Sequence, residues 1–222
     1  MGKINIYKLL NIFRKCCDQY YEDIYKNEKL LYDNEFKNVA VDESLFLHDN
    51  FGKKEWLIGL IDIQARRIRL KVVNERTEQI INKIIKHHIG INNAIIIDGP
   101  SAFNWLRNSN YGHIVYMHGR NDFGLGSEST SHIESVWSQI KSLITKLYHA
   151  LKPENFIYFV RELEFSYNIN NMNRRDKIKA IQDILYYNVV TSNFNFYDKE
   201  FLIDIDKENY TDESDNDSDN SN

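Results

Sequence analysis

The segment Ala94-Ile95-Ile96-Ile97-Asp98-Gly99-Pro100 sets four consecutive apolar residues before a carboxylate and two residues that end regular structure. A strand that is apolar at every position keeps no face for water. It therefore predicts the centre of a sheet covered by helices on both sides. Asp98 emerges at the end of that strand, where Gly99-Pro100 turns the chain sharply. A carboxylate directly after such a run is poorly solvated, and its charge is accommodated most easily beside a cation.

Working outward, Val39 to Asp42, Glu55 to Asp62 (EWLIGLID) and Arg67 to Val73 (RIRLKVV) read as three strands, and Ile63–Arg66 is short enough for a hairpin turn. Three strands in succession predict an antiparallel meander. Thr77-Glu78 opens a helical pattern (Ile80, Ile81, Ile84, Ile85, His88) that stops before Gly90. Beyond Pro100, a short helix from Ala102 to Arg107 leads to a fifth strand, Gly112 to Met117. After a loop from His118 to Ser131, the stretch from Ile133 to about Leu151 is an amphipathic helix. Ile133, Trp137, Ile140 and Ile144 share one side, and Glu134, Ser138, Lys141 and Thr145 the other. One helix follows Pro153 and another spans Asp176 to Tyr187. The order β β β α β α β α needs both parallel and antiparallel pairing. The expected class is α/β, a mixed five-stranded sheet flanked by helices on both faces.

The 222 residues suffice for one sizeable domain. Residues 1–37 are expected to form an N-terminal helical segment, 38–190 the core domain, and 191–222 an extension ending in an acidic, disordered tail. Net charge is −4, yet seven carboxylates and one lysine fall between Asp206 and Asn222, leaving 27 basic against 25 acidic residues elsewhere. A near-neutral body neither demands nor excludes nucleic acid, because phosphate binding depends on where Lys and Arg cluster. Cys16 and Cys17 are the only cysteines. Their adjacency rules out a disulfide framework or a CxxC metal knuckle, and a reducing, intracellular setting is expected. No apolar run approaches the roughly 20 residues of a membrane span.

Asp42, Asp98 and Glu134 stand where elements begin or end. If the first and fourth strands lie side by side, Asp42 and Asp98 converge, and converging hard oxygens suit Mg²⁺ or Mn²⁺. Glu134, Asp98 and the neighbouring Glu43 also have plainer accounts. Ser131-His132-Ile133-Glu134 is a capping box, Asp98-Gly99-Pro100 an ordinary turn, and Glu43 the opposite side of its strand. Asp62 is a rival ligand. Trp105 and Trp137 fit core positions by their helical register. His118 and His132 flank the loop before the helix; an ordinary surface histidine is the default for each, and contact with phosphate or metal the hypothesis. Arg66, Arg67, Arg69 and Lys71 make one basic cluster and Arg174, Arg175, Lys177 and Lys179 a second; a solvated face is the default for both, and phosphate contact the hypothesis.

Four short segments stand in order between about Val39 and Asn168: Val41-Asp42-Glu43-Ser44, Ile97-Asp98-Gly99 with Ala102-Phe103, Met117-His118 with Phe123, and Ile133-Glu134 through Trp137 to Ile140-Lys141. In order and spacing they resemble the DDE transposases of the ISXO-like insertion sequences and the related Merlin elements. Val41-Asp42-Glu43-Ser44 is similar to V-D-E-T around the first acid, and Ile97-Asp98-Gly99 with Ala102-Phe103 to D-G-W-x-A-Y. Met117-His118 with Phe123 resembles N-H-x-x-x-F, and Ile133-Glu134 through Trp137 to Ile140-Lys141 resembles I-E-x-x-W-x-x-L-K. Between Asp98 and Glu134 lie 35 residues, the DD35E spacing.

The resemblance implies an RNase H-like catalytic domain that cuts and joins DNA at transposon ends and targets. Asp42, Asp98 and Glu134 would hold two Mg²⁺ or Mn²⁺ ions, and Lys141 would contact DNA, joined by His118, Arg66 and Arg67. Synapsis of two ends implies a homo-oligomer, and a eukaryotic host would imply the nucleus. Two departures stand out. Ser129-Thr130-Ser131-His132 replaces the family's H-T-N before I-E, so Glu134 is assigned by spacing. Family members also carry an upstream zinc ribbon or helix-turn-helix, whereas some 38 residues precede the first strand here; those N-terminal helices are expected to be a remnant of a DNA-binding part. The alternatives are a domesticated, inactive DNA- or protein-binding module on the same fold, and an RNase H-like structure-specific nuclease.

Overall fold

In the computed structural model, which describes residues 6–23, 38–48, 54–98, 104–116, 131–147 and 155–191, the all-apolar strand lies where its composition requires. β4 (Ala94–Asp98) pairs in parallel with β1 (Asn38–His48) on one side and with β5 (Gly112–Tyr116) on the other. Ile95 and Ile97 enter one core cluster and Ile96 the other, so both faces of the strand are dry. β1 also pairs antiparallel with β2 (Lys54–Asp62), and β2 with β3 (Arg67–Val73). The sheet order is β3-β2-β1-β4-β5, which joins an antiparallel meander to a parallel half.

β1 runs past the expected end at Asp42 to His48, with an irregularity between Leu45 and Leu47. Its neighbour supplies the reason: β2 offers backbone partners as far as Lys54. The hairpin at Ile63–Arg66 is present, and Arg66 holds it with a left-handed φ of 51°.

Helices cover both faces. α2 (Glu78–His88) is capped by Thr77, whose side chain accepts from the Ile80 amide, and sets Ile81 and Ile85 against Val39, Val41, Ile58 and Leu60. α3 (Ser131–Leu147) and α4 (Phe156–Ile169) cover the other face, where Ile133, Trp137, Ile140 and Phe156 meet Ala40, Leu57, Ile61 and Ile96. A turn of 3-10 helix, Asn104–Asn108, precedes β5. Outside α4, α1 (Ile6–Asp23) and α5 (Arg174–Thr191) close a third cluster around Cys16, Cys17, Tyr21, Phe165 and Ile184. Burial pushes the Cys16 thiol up to about 11 and Cys17 higher still, so both act as small apolar residues. No helix among the described residues is long and apolar enough to cross a membrane.

β3 is the outer strand of the meander, and its free backbone edge is closed by side chains of α4. Asn168 Oδ1 accepts from the Ile68 amide at 2.7 Å, and its Nδ2 donates to the Ile68 carbonyl at 3.1 Å. One turn earlier the Leu70 amide donates to Glu164 Oε2 at 3.4 Å, and Arg161 Nη1 donates to the Leu70 carbonyl at 3.2 Å. Positions 161, 164 and 168 share one stripe of a helix, and residues 68 and 70 expose their backbone groups on the same side of a strand. The helix therefore stands in for a further strand. Arg161 reaches on to Asp18 and Glu22, and Arg69 to Glu164, so an ionic group buried at Arg161, Arg69 and Glu164 ties α1, α4 and β3 together.

Candidate active site

The parallel ladder between β1 and β4 ends at Val41 opposite Ile97, and the next residue on each strand is an aspartate. Asp42 and Asp98 thus occupy equivalent steps on strands about 4.8 Å apart. On the antiparallel side Asp42 pairs with Gly59. That glycine is required by what lies above it. A Cβ at residue 59 would stand 2.5 Å from Trp137 Cη2 and 2.7 Å from Ile133 Cδ1, so only a hydrogen lets α3 settle this close to the sheet.

Trp137 is 5% exposed, and its indole Nε1–H donates to Asp42 Oδ2 at 2.7 Å. The Glu43 amide donates to Asp42 Oδ1 at 2.8 Å. Helical register identified Trp137 as a core aromatic; the structure adds a polar task to that packing. The sequence carries only indirect signs of it, a lone glycine inside an otherwise bulky strand and a tryptophan one turn after Glu134.

Glu134 is solvent-exposed on the first turn of α3, directly after Ile133, which packs over Gly59 beside Asp42. The fold thus brings the Asp42 side chain, the backbone of Asp98 and the first turn of α3 to one end of the parallel strands. Glu43 pairs with Arg76 at 3.3 Å, and that guanidinium stacks 4.3 Å from the Trp56 ring centroid. Burial, and then the charge of Asp42, push the Glu43 carboxyl above its ordinary range.

The other expected residues are spread out. Lys141 is exposed on α3, with its ammonium 5.6 Å from the ring centre of Phe46, which itself packs edge-on against Trp137. Arg66 and Arg67 lie at the β2–β3 hairpin beyond Asp62, which pairs with Val39. That hairpin is displaced by at least three strand residues, roughly 10 Å, from the level of Asp42. Asp62 is fully buried, and its Oδ1 accepts from the Gln64 and Ala65 amides at 3.1 and 2.9 Å, which makes it the organiser of that turn. His118 lies outside the described residues. Buried His88 was not singled out as a site residue; burial, with Lys71 nearby, holds its imidazole at about 3, and it serves the α2 core.

Among the described residues no three His, Cys, Asp or Glu side chains are assembled as a ready metal cluster. The donors nevertheless suit a hard divalent cation. Asp42 offers two carboxylate oxygens, ordered by the Glu43 amide and the Trp137 indole, and hard oxygen donors are what such a cation takes.

Several solved structures are similar at low identity. A chain of the simian T-cell lymphotropic virus intasome shares 14% identity at a TM-score of 0.41, covering 68% of this chain and 58% of that one. The chain thus spans little more than half the length of that relative. The HTLV-2 integrase catalytic core domain in complex with magnesium shares 13% at 0.39, covering 64% of this chain and 92% of that one. The BIV integrase catalytic core shares 12% at 0.39, covering 70% and 97%. No curated protein matches the sequence. Residues 39–168, more than half of the chain, match the ISXO2-like transposase domain, and the chain belongs to that family of DDE transposase domains.

Proposed function

We propose that this chain is the RNase H-like catalytic domain of a DNA transposase, in which Asp42, Asp98 and Glu134 hold two Mg²⁺ or Mn²⁺ ions. The observation that carries it is the β1–β4 register, which ends one step before two aspartates on adjacent parallel strands. Family membership and a mixed sheet covered on both faces support the same reading. When bound, such ions activate the attacking oxygen and stabilise the leaving one in phosphodiester chemistry.

The chain's own contribution is placement. The β1–β4 ladder ends one step before Asp42 and Asp98 on neighbouring strands of one sheet, and Glu134, on the first turn of α3, would complete the set. Water first, and a 3′-hydroxyl later, would attack the phosphodiester without a covalent protein intermediate. Lys141, on α3 two turns beyond Glu134, would neutralise backbone phosphate, with His118, Arg66 and Arg67 as further DNA contacts. Transposon ends and target DNA are the proposed substrates, and a homo-oligomer would hold two ends at once.

The test is Mn²⁺ titration by calorimetry and nicking of supercoiled plasmid in Mn²⁺, comparing the wild type with D42N/D98N. The wild type is expected to bind and nick, and the variant, folded by circular dichroism, to do neither. A variant that keeps both activities sinks the assignment. Absence of both from the wild type would favour an inactive binding module on the same fold.

A further inference from the structure

Trp137 is a buried residue with a donor aimed at a carboxylate that belongs to the proposed site. We infer that Trp137 is a positioning residue for Asp42, fixing its carboxylate through the indole N–H, and that Gly59 is the gap that admits the ring. This rests on the assignment of Asp42 as a metal ligand.

An indole N–H can only donate, and when buried it needs an acceptor. Here the acceptor is Asp42 Oδ2 at 2.7 Å, a short charge-assisted bond. The other oxygen is held by the Glu43 amide, so the two oxygens are distinguished and the side-chain rotamer is specified from both ends. A carboxylate ordered before the cation arrives loses less freedom on binding.

The donor itself is fixed by packing. Its ring lies on Gly59, the residue directly opposite Asp42, and touches Phe46 at 5.7 Å between centroids and 63° between planes. Ile133 shares the same floor. A ring held on several sides cannot drift from its acceptor, and the residue that sets its height is the ladder partner of the ligand it orients. Hydrogen bonds to ligating carboxylates of this kind typically change metal affinity by about 10–100-fold when removed.

The experiment compares Mn²⁺ affinity by calorimetry in the wild type, D42N and W137F, each checked for cooperative unfolding. W137F keeps an aromatic ring and loses the N–H, and its Mn²⁺ affinity is expected to fall about 10–100-fold. If D42N abolishes binding while W137F binds like the wild type, the positioning role is wrong and the ligand assignment stands. If D42N binds like the wild type, the ligand assignment itself fails.

Should W137F not fold, the wild type alone decides. During Mg²⁺ titration the Trp137 indole N–H resonance, assigned by elimination with W56F and W105F, is expected to shift saturably while those of Trp56 and Trp105 stay. A Trp137 resonance that does not move as Mg²⁺ binds overturns the inference.

Discussion

Replacing Arg161 with methionine keeps the length of the stem and removes the charge at the centre of the α1–α4–β3 junction. The Arg161 side chain is 3% exposed and that of Glu164 is 0% exposed, at 3.1 Å separation. Methionine would leave the Glu164 carboxyl group in the interior with Arg69 and the Leu70 amide, and would take the Arg161 donor from the Leu70 carbonyl. Breaking a buried pair from one side costs roughly 3–5 kcal/mol. Glu22 is 54% exposed, and losing that contact adds little. We expect a loss of about 4 kcal/mol, a large share of the roughly 5–15 kcal/mol that stabilises a domain. In urea unfolding followed by circular dichroism, with a slope of about 2 kcal/mol per molar, the midpoint would fall by about 2 M. The double variant R161M/E164L removes the stranded carboxylate and recovers part of the loss. It still strands the amide and carbonyl of Leu70 and one contact of Arg69, so it should remain about 2 kcal/mol below the wild type. An R161M protein within about 1 kcal/mol of the wild type would refute the reasoning, since that is what an exposed pair contributes.

G59A should lose about 1–3 kcal/mol through overpacking, because the added methyl meets Trp137 and Ile133 at 2.5 and 2.7 Å; unchanged urea unfolding would mean that α3 does not lie as close as described. His88 gives a pH dependence. Burial first, and the nearby Lys71 second, lower its imidazole from 6.5 to about 3, so the folded chain keeps it neutral while the unfolded chain protonates below about pH 6.5. Stability from this group is therefore complete above that pH and is lost as pH falls toward 3, by about 2 kcal/mol at pH 5. H88L should flatten the difference in unfolding free energy between pH 7 and pH 5 by that amount, and parallel pH curves for variant and wild type would count against it.

The parts of this fold that could be read from sequence are those in which burial dictates composition. Ala94–Ile97 had to be apolar at every step because it is dry on both faces, and RIRLKVV ended where β3 ends. The far half of β1 was not legible, because Glu43-Ser44-Leu45-Phe46 shows no clean alternation and its pairing is decided by the length of β2. For the site, the β1–β4 pairing was foreseen as a condition, and the structure supplies the parallel ladder that meets it. The Trp137 bond was hidden, since helical periodicity reports which face a residue occupies and says nothing of what its polar atom meets there. Arg161, Glu164 and Asn168 were hidden for the opposite reason. Polar residues spaced by three and four read as a solvated stripe, whereas here they answer backbone groups of a strand more than ninety residues away.

That distance along the chain bears on how the protein is made. The side chains that close β3 are 91 to 100 residues downstream of the backbone groups they satisfy. At a synthesis rate of about 5–20 residues per second, roughly 5–20 s separate the appearance of the strand from that of its cover. Through that interval the nascent meander presents an open row of amides and carbonyls to any other strand within reach. Soluble yield would then depend on chaperone supply during those seconds, and a change at Asn168, which satisfies both backbone groups of Ile68, would be felt in an expression culture as well as in a melting curve.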